Sequence, residues 1–267
     1  MNHIDFHDDA GYTLVVTRLR AAGCVFAEEE ARLLIAAART PAELAAMADR
    51  RIAGLPLEHI IGWAEFCGLR ITVDPGVFVP RRRTEFLVRQ AAAFARPGAV
   101  VVDLCCGSGA LGVALAAALG RIELHSADID PAAVRCARRN VADVLGRVYE
   151  GDLYEPLPAT LRGRVDILVA NTPYVPTEAI RLLPPEARLH EARVALDGGA
   201  DGLDVQRRVA AEAPLWLAPG GHLLVEASGR QAPQTVEIFA RSGLTPQVIG
   251  SDELDATVVI GTRPAAG

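Results

Sequence analysis

Three groups of residues have types and spacing suited to chemistry. The first occupies 100–112, Val-Val-Val-Asp-Leu-Cys-Cys-Gly-Ser-Gly-Ala-Leu-Gly. Apolar β-branched residues run into Asp103, small residues follow, and 110–119 read as a helix. This is the pattern of a buried parallel strand, a glycine loop and a helix. Gly107 and Gly109 permit positive φ and close approach of a ligand to the backbone. Gly107-x-Gly109-x-x-Gly112 also fits a dinucleotide fingerprint, so two ligands compete. A dinucleotide would set its pyrophosphate on the helix N-terminus. S-adenosylmethionine has no phosphate; it needs a carboxylate for its ribose hydroxyls and polar groups for its methionine end. The second group is a pair of acids. Asp128 ends a strand over 122–128, about 20 residues past Gly109, where an open α/β sheet meets ligand hydroxyls. Ile129 adjoins it. Asp152 ends a third short strand over 148–152 and is followed by Leu153.

The third group is Asn171-Thr172-Pro173-Tyr174, at the end of an apolar strand over 165–170. Asn and Pro are common in ordinary turns. A dinucleotide domain nevertheless has no need of an amide, a proline turn and an aromatic in that order. An enzyme that methylates a planar nitrogen does need them. The lone pair of such a nitrogen is delocalised, so acceptors must hold its hydrogens and an aromatic must fix its plane. With the glycine loop, Asp128 and Asp152 in the same chain, the tetrapeptide favours S-adenosylmethionine as cofactor.

These groups need a scaffold, and the 267 residues, 51% hydrophobic, suffice for a large core with an appendage. Residues 1–10 are polar, and His3, Asp5 and His7 converge too little for a metal site. Residues 11–62 read as a small helical bundle. Tyr12, Leu14, Val15, Leu19 and Ala22 form one face, and Thr40-Pro41-Ala42-Glu43 is a helix start. The bundle carries none of the site residues. Residues 65–73 alternate around Gly68 as a hairpin, and Asp74-Pro75-Gly76 is a turn. Arg81, Arg82 and Arg83 precede a helix expected from about 83 to 94, and such a run is usually solvated. The net charge of −6 argues against a large nucleic-acid footprint. Cysteines 24, 67, 105, 106 and 136 form no C-x-x-C pair and read as reduced core residues of a cytoplasmic protein. No apolar run spans a bilayer and no signal peptide is visible.

Taken together, these segments resemble the HemK/PrmC-like protein-(glutamine-N5) methyltransferases. Leu57-Glu-His-Ile-Ile-Gly62 and Ala64-Glu-Phe-Cys-Gly-Leu69 are similar to the family's linker and hairpin. Val79-Pro80-Arg81 with Thr84-Glu85 resembles I-P-R-P-x-T-E, residues 103–109 resemble D-L-G-x-G-S-G, and 171–174 resemble N-P-P-Y. Ala195-Leu-Asp-Gly-Gly-Ala-Asp-Gly202-Leu resembles A-L-x-G-G-x-D-G-L, and Gly220 to Glu226 followed by Gln231 resembles the fifth strand. The chain departs from the pattern at four places: Thr172 for proline, Arg82-Arg83 for Pro-Glu, Cys105-Cys106 for Gly-Thr, and Ala192 for proline.

The resemblance implies a class I S-adenosylmethionine-dependent methyltransferase with a Rossmann-like, mostly parallel seven-stranded sheet. Residues 1–62 would be a helical substrate-recognition domain, 63–76 a hairpin linker and 77–267 the methyltransferase domain. Strands over 223–227 and 257–261 come late, the last antiparallel. The cofactor would meet Asp103, Cys105, Gly107 and Gly109 along its methionine end, Asp128 and Ile129 at its ribose, Asp152 and Leu153 at its adenine, and Asn171 at the reacting end. Asn171, Thr172, Pro173 and Tyr174 would carry the transfer to a glutamine side-chain amide of a protein, with the Gly-Gly-Gln glutamine of release factors as the substrate the family implies. The rival reading is an exocyclic-amine methyltransferase of RNA or DNA, which shares N-P-P-Y. A flipped base needs a basic channel, for which 81–83 is the one candidate. No membrane partner is expected.

Overall fold

The computed structural model describes residues 9–265, so His3, Asp5 and His7 lie outside the described residues. Helices α1 (Asp9–Ala21), α2 (Ala27–Ala37), α3 (Pro41–Ile52) and α4 (Leu57–Ile61) share a core of Val15, Leu19, Leu34, Leu44, Met47 and Ile60. Thr40 caps α3, accepting the Glu43 N–H at 3.1 Å, with Pro41 in the first position. The expected face of α1 needs correction. Leu14 is 62% exposed and Ala22 is exposed, while Val16 is buried. Tyr12, Val15, Val16 and Leu19 make the 3.6-residue stripe that packs on α2 and α3.

A hairpin follows, β1 (Trp63–Phe66) and β2 (Leu69–Thr72). Its two turn residues, Cys67 and Gly68, both have positive φ, the geometry that suits a tight hairpin. A single 3₁₀ turn over Arg82–Thr84 leads into α5 (Glu85–Phe94), which therefore starts two residues later than expected.

The main sheet comprises β3 (Val100–Leu104), β4 (Glu123–Asp128), β5 (Arg147–Glu150), β6 (Val165–Ala170), β7 (Leu217–Ala227), β8 (Thr245–Ser251) and β9 (Ala256–Thr262), in the order β5-β4-β3-β6-β7-β9-β8. β9 runs antiparallel to β7 and β8, and the remaining pairs are parallel. The late strands are longer than expected. β5 ends at Glu150, so Asp152 sits in the following turn rather than on the strand. Between strands lie α6 (Ala110–Leu119), α7 (Pro131–Ala142), α8 (Pro185–His190), α9 (Asp204–Trp216) and α10 (Ala232–Arg241).

Both sheet faces are covered, which is why β3 opens on three consecutive buried valines rather than an apolar–polar alternation. Val100, Val102 and Leu104 pack toward Val209, Trp216 and Phe239, while Val101 packs toward Leu87, Leu111 and Leu115. The chain steps outward from β3 to β5 and returns at β6, so the strand order reverses between β3 and β6. Ligands bind outside the carboxyl ends of the strands at such a reversal. Among the described residues no helix is long and apolar enough to cross a membrane.

Candidate active site

A cavity of about 500 Å³ opens at this reversal. Its floor is the loop from β3 to α6, where Cys105, Cys106, Gly107 and Ser108 line the wall. Cys105 and Gly107 both have φ of 55°, and a Cβ at Gly107 would meet nothing. Gly109 has another job. It has φ of 79°, and a Cβ there would lie 3.0 Å from Val141 and 3.3 Å from Ala137 of α7. It lets α7 pack on the loop and does not line the cavity. Gly112 likewise packs against Leu124, and its N–H donates to Asp103 Oδ2 at 3.1 Å.

Asp103 is fully buried beneath the loop and is absent from the cavity wall. Its Oδ1 has no partner, and burial pushes its pKa up to about 7. Asp128 does border the cavity. Its Oδ2 accepts the Gly107 N–H at 2.8 Å and its Oδ1 accepts the Asp130 N–H at 2.9 Å. It thereby pins the loop while each oxygen keeps a lone pair for a ligand hydroxyl. Burial raises its pKa above the ordinary range, against the N–H bonds that lower it. Ile129 is half exposed at the rim. Asp152 pairs with Arg208 at 2.7 Å, and Leu153, with φ of 49°, lies beside it on the wall.

Beside the glycine loop, at the end of the neighbouring strand β6, Asn171-Thr172-Pro173-Tyr174 also line the cavity. Asn171 Oδ1 is buried and has no hydrogen-bond partner, and the same holds for the Thr172 hydroxyl, in a side chain 1% exposed. A buried acceptor left open costs about 1–3 kcal/mol, so an unpaired Asn171 oxygen in a cavity wall suits a ligand that donates to it. The Tyr174 hydroxyl donates to Glu226 Oε1 at 3.1 Å and accepts from Arg83. Burial, then the nearby Glu226 charge, raises this phenol to about 12.

The arginine run is not simply solvated. Arg82 is exposed, but Arg81 donates to both oxygens of buried Glu191 at 2.6 and 2.7 Å. Arg83 donates to Glu226 at 3.0 Å, and Thr84 Oγ1 donates to the other oxygen of Glu226 at 2.6 Å. Sequence reading missed Glu191 and the role of Glu226. The third wall, with Leu183, Pro184, Glu186, Ala187 and Val194, was missed as well. The bundle is also less remote than expected, because Arg51 of α3 donates to Glu186 of this wall.

The sheet order, the loop and the terminal tetrapeptide define a class I methyltransferase. The model of the methyltransferase small domain family matches residues 68–201. A methyltransferase from Pyrococcus furiosus shares the fold, with a TM-score of 0.58 and 18% identity over 81% of this chain and 99% of that one. The release factor glutamine methyltransferase of Geobacter sulfurreducens is 40% identical over 84% of this chain and 79% of its own. A 4-amino-L-phenylalanine/4-methylamino-L-phenylalanine methyltransferase of Streptomyces pristinaespiralis is 37% identical over 73% of this chain and 67% of its own. The chain belongs to the release factor glutamine methyltransferase family.

Proposed function

We propose that the chain transfers a methyl group from S-adenosylmethionine to the side-chain amide nitrogen of a glutamine in a protein, with a release factor as the substrate that the relatives' names favour. The observation that carries this reading is the buried, unpartnered Oδ1 of Asn171, a residue that lines the cavity next to the glycine loop. The cavity suits the cofactor in size and in hydrogen-bond acceptors. Ligand sites run to about 300–1,000 Å³, and Asp128, Asp152 and Gly107, whose added Cβ would meet nothing, all line this one. Bound there, S-adenosylmethionine supplies an electrophilic methyl on a sulfonium.

The chain's own residues do the rest by placement. A glutamine amide is neutral and weakly nucleophilic, and Tyr174, raised to about 12 and committed to Glu226, is no base for it. Asn171 Oδ1 and the Thr172 carbonyl would accept the two amide hydrogens and aim the nitrogen lone pair. Pro173 would stiffen the turn, and the Tyr174 ring would lie on the amide plane. Orientation of this kind supplies roughly 7–11 kcal/mol when the geometry is near-attack. In this reading residues 1–62 meet the protein substrate, 63–76 link, and 77–267 carry the chemistry. A nucleic-acid acceptor is disfavoured because Arg81 and Arg83 are paired with Glu191 and Glu226.

The test is label transfer from S-adenosylmethionine to a release factor, to a peptide containing Gly-Gly-Gln, to 4-aminophenylalanine and to RNA. Methyl on the glutamine nitrogen is expected. Label on the arylamine or RNA alone would overturn the reading.

A further inference from the structure

Residues 197–202 and Gln231 do not line the cavity, yet they grip the tetrapeptide from behind. Ser228 Oγ donates to Gln231 Oε1 at 2.7 Å, which turns the amide nitrogen the other way. That nitrogen donates to the Tyr174 carbonyl at 3.0 Å and to the Asp201 carbonyl at 3.1 Å. Both amide hydrogens are thus used, one on each loop. The loops are also laced directly. The Val175 N–H donates to Leu196 at 3.0 Å, the Gly198 N–H to Val175 at 2.9 Å, and the Thr177 N–H to Gly199 at 2.9 Å.

The approach is too close for side chains. A Cβ at Gly198 would lie 2.7 Å from the Pro173 carbonyl oxygen. One at Gly202 would lie 2.2 Å from the Tyr174 carbonyl oxygen and 2.6 Å from Gln231 Nε2. This accounts for the glycines within Ala195-Leu-Asp-Gly-Gly-Ala-Asp-Gly202, a motif of which only Ala195 and Leu196 line the cavity. The hold matters more here because Thr172 lacks the fixed φ that a proline would impose.

We propose that Gln231 is a positioning residue for methyl transfer. By holding the Tyr174 carbonyl against the 197–202 loop, it sets the backbone of Thr172 and Pro173 and so the acceptor carbonyl. The inference rests on the reading of the tetrapeptide as the acceptor site. A misplacement near 1 Å costs about a hundredfold in rate, so a loosened clamp shows in turnover and not in cofactor affinity.

The experiment uses the full chain with two variants, Gln231→Ala and Gln231→Glu, and a Gly-Gly-Gln peptide. Gln231→Ala is expected to lower kcat by about ten- to a hundredfold with S-adenosylmethionine affinity unchanged. Gln231→Glu puts a carboxylate oxygen against two carbonyl oxygens. Protonation restores a donor, so its kcat relative to wild type should rise as pH falls from about 8 to about 6. Hydrogen exchange over residues 172–199 should quicken in Gln231→Ala. A kcat within about twofold of wild type, a parallel loss of cofactor affinity, or a flat pH ratio would each overturn the proposal. Unchanged exchange would overturn the clamp without reference to any substrate. Failure of wild type on every glutamine substrate would instead overturn the parent reading.

Discussion

Arg83 Nε donates to Glu226 Oε1 at 3.0 Å, and the same guanidinium donates to the Tyr174 hydroxyl, which itself donates to Glu226. An arginine therefore stands where the family pattern has an acid, and it is balanced by a carboxylate 3% exposed. The Tyr174 phenol has its donor and acceptor both engaged, so the proposed role falls to its ring. Tyr174→Phe should keep kcat within a few fold of wild type. Tyr174→Ala should lose at least about tenfold, because the plane of the amide is then unsupported. Steady-state kinetics at saturating cofactor distinguish the two.

Asn171→Ala should lower turnover by at least about a hundredfold while S-adenosylmethionine still binds, the behaviour of a contact made chiefly in the transition state. Near-normal turnover would reduce the tetrapeptide to a turn. Thr172→Pro should be tolerated. The acceptor proposed there is a backbone carbonyl, and the substitution removes a buried hydroxyl that has no partner. Thermal melts and kinetics of that variant check both points.

Asp128→Ala should weaken S-adenosylmethionine binding by tens of fold. Charge-assisted hydrogen bonds are worth about 1.5–3 kcal/mol, and the substitution also frees the Gly107 and Asp130 N–H groups. Calorimetry showing unchanged affinity would remove Asp128 from the cofactor site.

Arg51 lies 2.6 Å from Glu30, both side chains about 10% exposed, and it reaches Glu186 on the cavity wall. Arg51→Ala strands a buried carboxylate and should destabilise the chain by about 3–5 kcal/mol. Glu186→Ala removes a half-exposed partner and should cost no more than about 1 kcal/mol. Denaturant titration measures both. A truncation starting near Pro56 removes Arg51 together with Glu30, so it should keep cofactor affinity and lose turnover on the protein but not on a saturating short peptide; equal loss on both would argue that residues 1–62 are purely structural.

Asp103 is raised to about 7 in the folded chain by burial. Between the ordinary carboxylate range, near 4, and about 7, the folded state holds a proton that the unfolded state has lost. Its contribution to stability is therefore greatest at the acid end and falls as pH rises to about 7, then stays level. Asp103→Asn keeps an acceptor for the Gly112 N–H and should remove this slope. Melts of the two proteins across that window should diverge toward neutral pH, with the variant the more stable there. Parallel curves would refute the assignment.

The strand, loop and helix at 100–119 and the tetrapeptide at 171–174 were legible because their signals are local. A β-branched run, paired glycines and an amide–proline–aromatic order each bias the backbone within a few residues. The mostly parallel sheet was implied by the family resemblance and agrees with alternating strands and helices, since parallel strands need crossovers; its strand order came only from the fold. Other features depended on residues far apart in the chain. Arg81 meets Glu191 across 110 positions and Arg83 meets Glu226 across 143. A run of arginines looks solvated until the topology brings buried carboxylates against it. Gly109 carried a ligand-loop signature, yet its missing Cβ serves α7. Asp103 and Asp128 were both acids at strand ends, and only packing put the first under the loop and the second on the wall. Local sequence determined where the chain turns and which groups it carries there. Tertiary packing decided which of those groups are desolvated, which are neutralised, and which belong to cavity-lining residues with a hydrogen bond still to make.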